Sequence, residues 1–464
     1  MELHYLSLLE VSEHIRRQEL TSESVTEALL VRIAQLDAKL HATLLVMADL
    51  ALEQARRADA EIAAGQWRGP LHGVPIGVKD TVWTKGLPTT AGMEIWRDFR
   101  PQEDATVVRR LKEAGAVLIA KLATTEAATW EHHPSFPRPV NPWSPDHWTG
   151  VSSSGSGVAL AAGFCFAATA SDLGGSIRMP SAASNCTGLK PTWGRVSRHG
   201  VMYGGGSYDH TGPIARSAAD VAALLGVIAG DDPDDPASLV DPVPDYLASM
   251  RQGVRGMTLG VDWKFATDGM APAIVATLEH TIAVFERLGM RIRDVTVPEI
   301  SQSATVPMIA QIALAHADTY PARSEQYGPA LRALIERASR LGAADVAAGV
   351  IARDHFRGQM ARTFAKTDLV LVPGLGRILP TWEALALAGQ DGGGSDPLLT
   401  RFTLPFNATG VPTLSLPGGF TDEGLPIGVQ LAGSWLAEPE LIRAGVAFQQ
   451  ETDFHLRRPP MLRT

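Results

Sequence analysis

The stretch "SDLGGSIRMPS", residues 171–181, sets Ser176 directly behind two glycines. Glycine reaches backbone angles closed to other residues and lets a ligand approach the main chain. A serine on such a turn would sit among backbone N–H groups converging on one spot, and such a nest suits the negative charge of a tetrahedral oxygen. The same residues also read as a plain turn in which Ser176 caps a helix beginning near Ile177. A serine hydroxyl attacks a carbonyl well only when a neighbouring base takes its proton. In "GVPIGVKD", a short apolar run bounded by glycine and proline reads as a buried strand that delivers Lys79 to its end. Burial there would disfavour the ammonium and leave a neutral amine. The competing reading has Lys79 reaching solvent or pairing with Asp80. A third stretch, "TGVSSSGSGVALAAGF" at 149–164, places three serines before a helix of small residues, where Ser152 or Ser153 equally well reads as a helix cap.

Other chemistries find less support. None of the thirteen histidines lies in a context that marks it as a base. His132 and His133 in "TWEHHPSF" suggest a metal, yet adjacent side chains point in different directions on helix or strand, and no third ligand follows at a recognisable spacing. Neither a metal nor another cofactor is expected. The two cysteines, Cys165 and Cys186, belong to no ligand cluster and suggest a reducing compartment. With 41 basic against 50 acidic residues the formal charge is −9, which argues against nucleic acid or an anionic membrane as a partner. The N-terminus lacks the basic-then-apolar pattern of a secretory signal, and no stretch is apolar enough to span a bilayer, so a cytoplasmic protein is expected.

The elements that must hold these residues alternate. Helical periodicity occupies 6–65, with Ser22 or Ser24 as a cap for the second helix and a glycine closing the third. A core over 70–230 follows: the strand ending at Lys79, the helix "DATVVRRLKEAGA", the strand "VLIAKL", a buried helix within "TGVSSSGSGVALAAGFCFAATASDLGG" and the helix "SAADVAALLGVIAG". The acidic, proline-rich "DDPDDPASLVDPVP" reads as an exposed loop. A third part, 250–452, repeats the alternation: "MTLGVDW", "RIRDVTV", "TDLVLVPG", "GVPTLSLPGGF" and "LPIGVQLAG" read as strands, and 303–365 as mostly helical. The glycine-rich "AGQDGGGSDPLL" at 388–399 lies where a lid could be, its core being 388–395. No linker long enough to separate domains appears in 464 residues, so one compact α/β domain is expected.

From Gly73 to Ser217 the chain resembles the amidase signature family, hydrolases that use a Ser–cis-Ser–Lys triad. The resemblance is carried by "GVPIGVKDTVWTKGLPTTAGM", the serine run at 150–156, "SDLGGSIRMPS", "GLKPTWGRVSRHGV" and "GPIARSAADVAALLGVIAGDD". With the C-terminal "LPFNATGVPTLSLPGGFTDEGLPIGVQLAG" it extends over roughly 6–451. It implies a single domain over 1–464, with a mixed β-sheet covered by helices on both faces. It also implies Lys79 as base, Ser176 as nucleophile, Ser152 as the bridging serine after a cis peptide bond, with Ser153 the less favoured candidate, and the amides of Leu173, Gly174, Gly175 and Ser176 as an oxyanion hole. Val151 and Ser154 replace glycines of the family's usual Gly-Gly-Ser-Ser-Gly-Gly run, and Ser184 and Asn185 stand where Cys-Gly is common. These changes are expected to reshape the pocket wall and leave the triad intact.

Aromatic residues near the pocket, Trp130, Phe136, Trp143, Trp148 and Trp382, favour an apolar or aromatic substrate, although core packing explains any one of them as well. The family resemblance and these residues together imply a small-molecule partner, an aryl or alkyl amide or a carbamate (urethane), with ester cleavage also feasible, acted on by a monomer or homodimer. Two other readings stand beside it: the glutaminase component of a tRNA-dependent amidotransferase, and a non-catalytic binding protein on the same fold.

Overall fold

The computed structural model describes residues 2–202, 206–390 and 396–462. Through them runs one mixed sheet. Its strands are β1 (Thr43–Val46), β2 (Pro75–Lys79), β3 (Val117–Leu122), β4 (Ala167–Asp172), β5 (Thr187–Lys190) and β6 (His210–Ala215), then β7 (Thr258–Val261), β8 (Arg291–Asp294), β9 (Leu369–Pro373), β10 (Thr413–Phe420) and β11 (Pro426–Gly433). Their spatial order is β1-β3-β2-β4-β6-β5-β10-β11-β9-β7-β8. β2 lies parallel to both β3 and β4, while β6, β5, β10 and β11 form an antiparallel centre. β2, β3, β4 and β9 are buried along their whole length, because helices cover both faces of the sheet. That is why β2, β3 and β9 read as apolar runs and not as alternation.

Two clusters of side chains fill the interior. The larger joins Leu8, Val25 and Leu29 of the N-terminal helices to Ile76, Leu118, Phe166, Leu224, Leu414 and Phe448. A second lies under the helical segment 302–364, where Ile312, Tyr327, Leu331 and Phe356 pack with Leu173, Tyr208, Phe402 and Phe406. Each fully buried leucine or phenylalanine contributes about 1.5–3 kcal/mol.

Several local expectations need correction. The second helix, Ser22–Leu40, is capped by Thr21, whose hydroxyl accepts from Ser24 N–H while the Ser24 hydroxyl accepts from Thr21 N–H. Thr21 holds the extended backbone that a cap requires. The stretch 149–175 is not one helix. The helix Ser154–Ala162 stops at Gly163, whose φ of 71° ends it, and β4 follows. β1, β5 and β6 have no counterpart in the sequence reading, since "TLLV" is very short and the other two contain glycine or proline. The acidic loop after 230 is not simply exposed: Asp232 and Asp235 are buried, accepting from the Ser197 hydroxyl and the Arg198 amide. Of the expected lid at 388–395, residues 388–390 end the helix Trp382–Gln390, and 391–395 lie outside the described residues. Among the described residues no helix is long and apolar enough to cross a membrane.

Candidate active site

β2 carries Lys79 into the interior at its C-terminal end, where the side chain is fully buried. Its neighbour β4 presents Thr169 and Ser171 on one face, since residues two apart on a strand share a side. Both touch the lysine: Lys79 N–H donates to Thr169 Oγ1 at 3.0 Å, and Lys79 Nζ donates to Ser171 Oγ at 2.8 Å. Nζ also donates to Ser152 Oγ at 2.7 Å. Burial lowers the ammonium's pKa to about 7, with Asp209 and Asp172 opposing the shift. Asp80 is not its partner. That carboxylate accepts from Thr90 and faces the buried Lys121 at 3.4 Å.

The serine run is threaded between two segments. The Val151–Ser152 peptide bond is cis. Ser152 C=O accepts from Thr125 N–H at 3.2 Å, and Ser153 N–H donates to Ser176 C=O at 3.4 Å, so the run and the Gly-Gly-Ser turn lie side by side. Ser153 occupies the cap position of the helix Ser154–Ala162, yet neither it nor Ser152 donates or accepts a side-chain capping bond. Their hydroxyls are turned elsewhere, Ser153 Oγ to Ser171 C=O at 3.3 Å. Gly155 is required by crowding: a Cβ there would come within 2.4 Å of Ala123 N and 2.5 Å of Ala42 O.

The turn after β4 is built around Asp172. One carboxylate oxygen accepts from Gly175 N–H at 2.7 Å, the other from Ile177 N–H at 3.0 Å, and the Arg178 guanidinium forks onto both at 2.9 Å. Burial by itself would raise the carboxyl's pKa; Arg178, with Lys190 and Asn407, outweighs it and holds Asp172 well below the usual carboxylate range. Arg178 is in turn held by Thr403 C=O, Gln430 and Asn407, and the Thr403 hydroxyl donates to Gly174 C=O at 2.6 Å. Gly175 has φ of 134°, and a Cβ on it would meet Thr403 Oγ1 at 2.8 Å. Ser176 does not cap the following helix, Arg178–Ala183, whose cap position is Ile177. Its hydroxyl makes no hydrogen bond to any described residue, and the residue is 8% exposed. Of the four amides expected to face an oxyanion, Gly175 N–H is taken by Asp172, while those of Leu173, Gly174 and Ser176 bond to no other described residue.

An apolar cluster adjoins both serines. Val151, next to Ser152, and Met179, three residues past Ser176, pack with Trp148, Leu375, Leu379 and Leu399. Trp130 and Trp382 lie against this group, Trp130 stacked on Trp148 and Trp382 under the Arg138 guanidinium at 3.9 Å. Trp143 does not join them. Its indole N–H donates to Ser184 C=O and its ring packs on Phe420, so it lines a small cleft under the C-terminal segment. Phe136 sits under Arg97. Ser184 and Asn185 also face that C-terminal cleft and not the cluster beside the serines; Asn185, with φ of 55°, donates to Phe454 C=O at 2.8 Å and ties down the tail. The adjacent histidines diverge: His132 bonds to Ser154 Oγ at 3.0 Å and His133 to Ser135 Oγ at 2.7 Å. A separate cleft of about 240 Å³ beside His72 contains Arg57, Arg68 and Lys112, which are paired with Glu53, Glu61 and Asp104.

The sequence reading missed Ser171, Thr169, Asp172, Arg178, Thr403, Asn407 and Gln430. Ser171 and Thr169 were missed because the strand that carries them, "AATASD", was not told apart from the small-residue helix before it. A buried hydroxyl network around a lysine of lowered pKa, next to a serine with no partner among the described residues, can move a proton from one hydroxyl to another and on to the amine.

The sequence profile named Amidase matches residues 24–442, and the chain belongs to that family, hydrolases of amide C–N bonds. "Putative amidase AmiD" of Mycobacterium tuberculosis is 48% identical over 462 residues, covering 98% of this chain and 96% of the relative. A glutamyl-tRNA(Gln) amidotransferase component from a Geobacter species is 36% identical, covering 99% of this chain and 100% of the relative. The structure of 6-aminohexanoate cyclic dimer hydrolase complexed with substrate superposes with a TM-score of 0.90 at 26% identity, covering all of both chains.

Proposed function

We propose that this chain is a free-standing serine amidase in which Ser176 is the nucleophile, Ser152 the proton carrier and Lys79 the base. The observation that carries the reading is the buried Lys79 Nζ, 2.7 Å from Ser152 Oγ, beside a turn on which the Ser176 hydroxyl is left without a partner among the described residues. Ser176 Oγ attacks the carbonyl carbon as its proton passes to Ser152, whose own proton passes to neutral Lys79. The carbonyl oxygen, now negative, is received by the amides of Leu173, Gly174 and Ser176, each good donor contributing about 3–4 kcal/mol. The fourth expected donor, Gly175, keeps the turn in shape through Asp172. The relay then returns a proton to the leaving nitrogen, and water cleaves the acyl-enzyme by the same path.

The substrate class we infer is aryl or alkyl amides and related carbamates. The apolar cluster of Val151, Met179, Leu375 and Trp130 beside the serines supports it, as does a structural relative named as a hydrolase of the 6-aminohexanoate cyclic dimer. The test is hydrolysis of a p-nitroanilide, a nitrophenyl carbamate and glutamine by the wild type and by Ser176→Ala, with fluorophosphonate labelling alongside. Release from the anilide or carbamate, lost in the variant together with the label, supports the proposal. Turnover of glutamine alone would replace it with the glutaminase reading that the 36% identity keeps open. Absence of labelling on Ser176 would make the chain a binding protein.

A further inference from the structure

Ser154 opens the helix Ser154–Ala162, and its hydroxyl is fully buried. It faces His132, whose Nε2 lies 3.0 Å away. Burial, with Arg138 adding to it, lowers the imidazole's pKa to about 3, so the ring is neutral wherever the enzyme works and the bond does not switch with pH.

His132 ends a tight loop that begins at Thr125. Within the loop Thr125 Oγ1 donates to Thr129 C=O at 2.6 Å, Thr129 Oγ1 donates to Glu126 C=O at 2.6 Å, and Glu126 N–H donates to Glu131 C=O at 2.8 Å. The loop is fastened to the serine run at both ends, by Thr125 N–H on Ser152 C=O and by His132 on Ser154. Between the two fastenings it carries Trp130, whose ring stacks on Trp148 at 6.4 Å between centroids and 15° between planes.

We propose that His132 is a positioning residue that, through Ser154, sets Trp130 against Trp148 and so fixes the size of acyl group accepted beside the serines. The inference rests on the apolar cluster proposed above as the substrate site and assigns it to the acyl side. A glycine at 154 would leave the far end of the loop unfastened and Trp130 free to shift, so a large acyl group would lose its wall while a small one would not need it. His132 has no proton to exchange in this scheme.

The experiment compares Ser154→Gly, His132→Ala, the double variant and His132→Gln with the wild type. Two readouts are taken: kcat and KM for phenylacetyl and acetyl p-nitroanilides, and the circular-dichroism contribution of the indole pair, calibrated with Trp130→Phe. Ser154→Gly and His132→Ala should each raise KM for the phenylacetyl substrate roughly five- to tenfold, the scale of one lost hydrogen bond, and reproduce part of the Trp130→Phe spectral change. The double variant should match either single one, because the two residues share one interaction. His132→Gln, which still reaches Ser154 with a hydrogen-bonding group, should recover much of the loss. Unchanged spectra in the single variants, or a loss in kcat with no change in KM, overturns the proposal. A wild type indifferent to acyl size overturns the apolar-pocket reading instead, and the spectra still judge the hydrogen bond.

Discussion

A lysine that serves as a base must be neutral where it works, and folding has to keep it so. With the Lys79 pKa at about 7 against an ordinary value of 10.5, kcat/KM should rise with pH through about 7 and level off above it. The linked effect on stability has a definite sign. Between about 7 and 10.5 the unfolded chain binds the proton and the folded chain does not, so stability increases with pH across that window and the penalty of burying the amine is fully present below it. Lys79→Met should therefore lose activity by more than about a thousandfold. It should also melt higher than the wild type near neutral pH, the gain shrinking toward alkaline pH, as differential scanning calorimetry at several pH values would show. The opposite holds for Arg178, whose removal strands the buried Asp172 charge: Arg178→Met should cost about 3–5 kcal/mol in urea unfolding. Lys79 and Ser176 stood out as candidates because an apolar run ends in the lysine and two glycines precede the serine, but their roles came from the family resemblance and not from these local patterns. Arg178 looked like an ordinary residue after the turn, since its partners Thr403, Asn407 and Gln430 lie 225–252 positions away and nothing local announces them.

The element that most depends on backbone shape is the turn from β4 into the helix Arg178–Ala183. At Gly175 a methyl group would meet Met179 Cε at 2.4 Å and Thr403 Oγ1 at 2.8 Å, and the φ of 134° excludes most side chains. Gly175→Ala should thus lower kcat far more than it lowers the melting temperature, because the amides on either side of it move while the large core does not; steady-state kinetics paired with calorimetry would separate the two. β2 and β3 were legible as elements because their residues are apolar and bounded by glycine or proline. β4 was hidden, since "AATASD" follows a helix of the same small residues and only Gly163 separates them. β5 and β6 fill the sheet centre through pairing with distant strands, an influence that local propensity does not carry.

Across the whole molecule, Glu126 ties the helical segment 302–364 to the loop that follows β3. Its buried carboxylate accepts from Gly328 N–H at 2.9 and 3.1 Å. Burial raises its pKa to about 7 from 4.5, the Gly328 amide opposing and Glu131 adding to the shift. Here the folded state holds the proton more tightly, so stability falls as pH rises from about 4.5 to 7 and the full cost is felt above that. Glu126→Gln keeps an acceptor for Gly328 and removes the charge, so its stability relative to the wild type should improve with pH over the same interval, which urea unfolding at pH 4.5 and at pH 7 would check. The alternation of strands and helices, and the membership of both C-terminal strands in one sheet, could be read from the sequence; which face the helical segment covers could not, because its contacts with Leu173 and Tyr208 are long-range. The closing of the Ser176 turn by Thr403, Asn407 and Gln430 has a consequence for synthesis. Lys79, Ser152 and Ser176 leave the ribosome long before those residues do, so on the proposed assignment the nascent chain holds the triad in a loose, inert arrangement until the segment from Thr403 to Gln430 has docked.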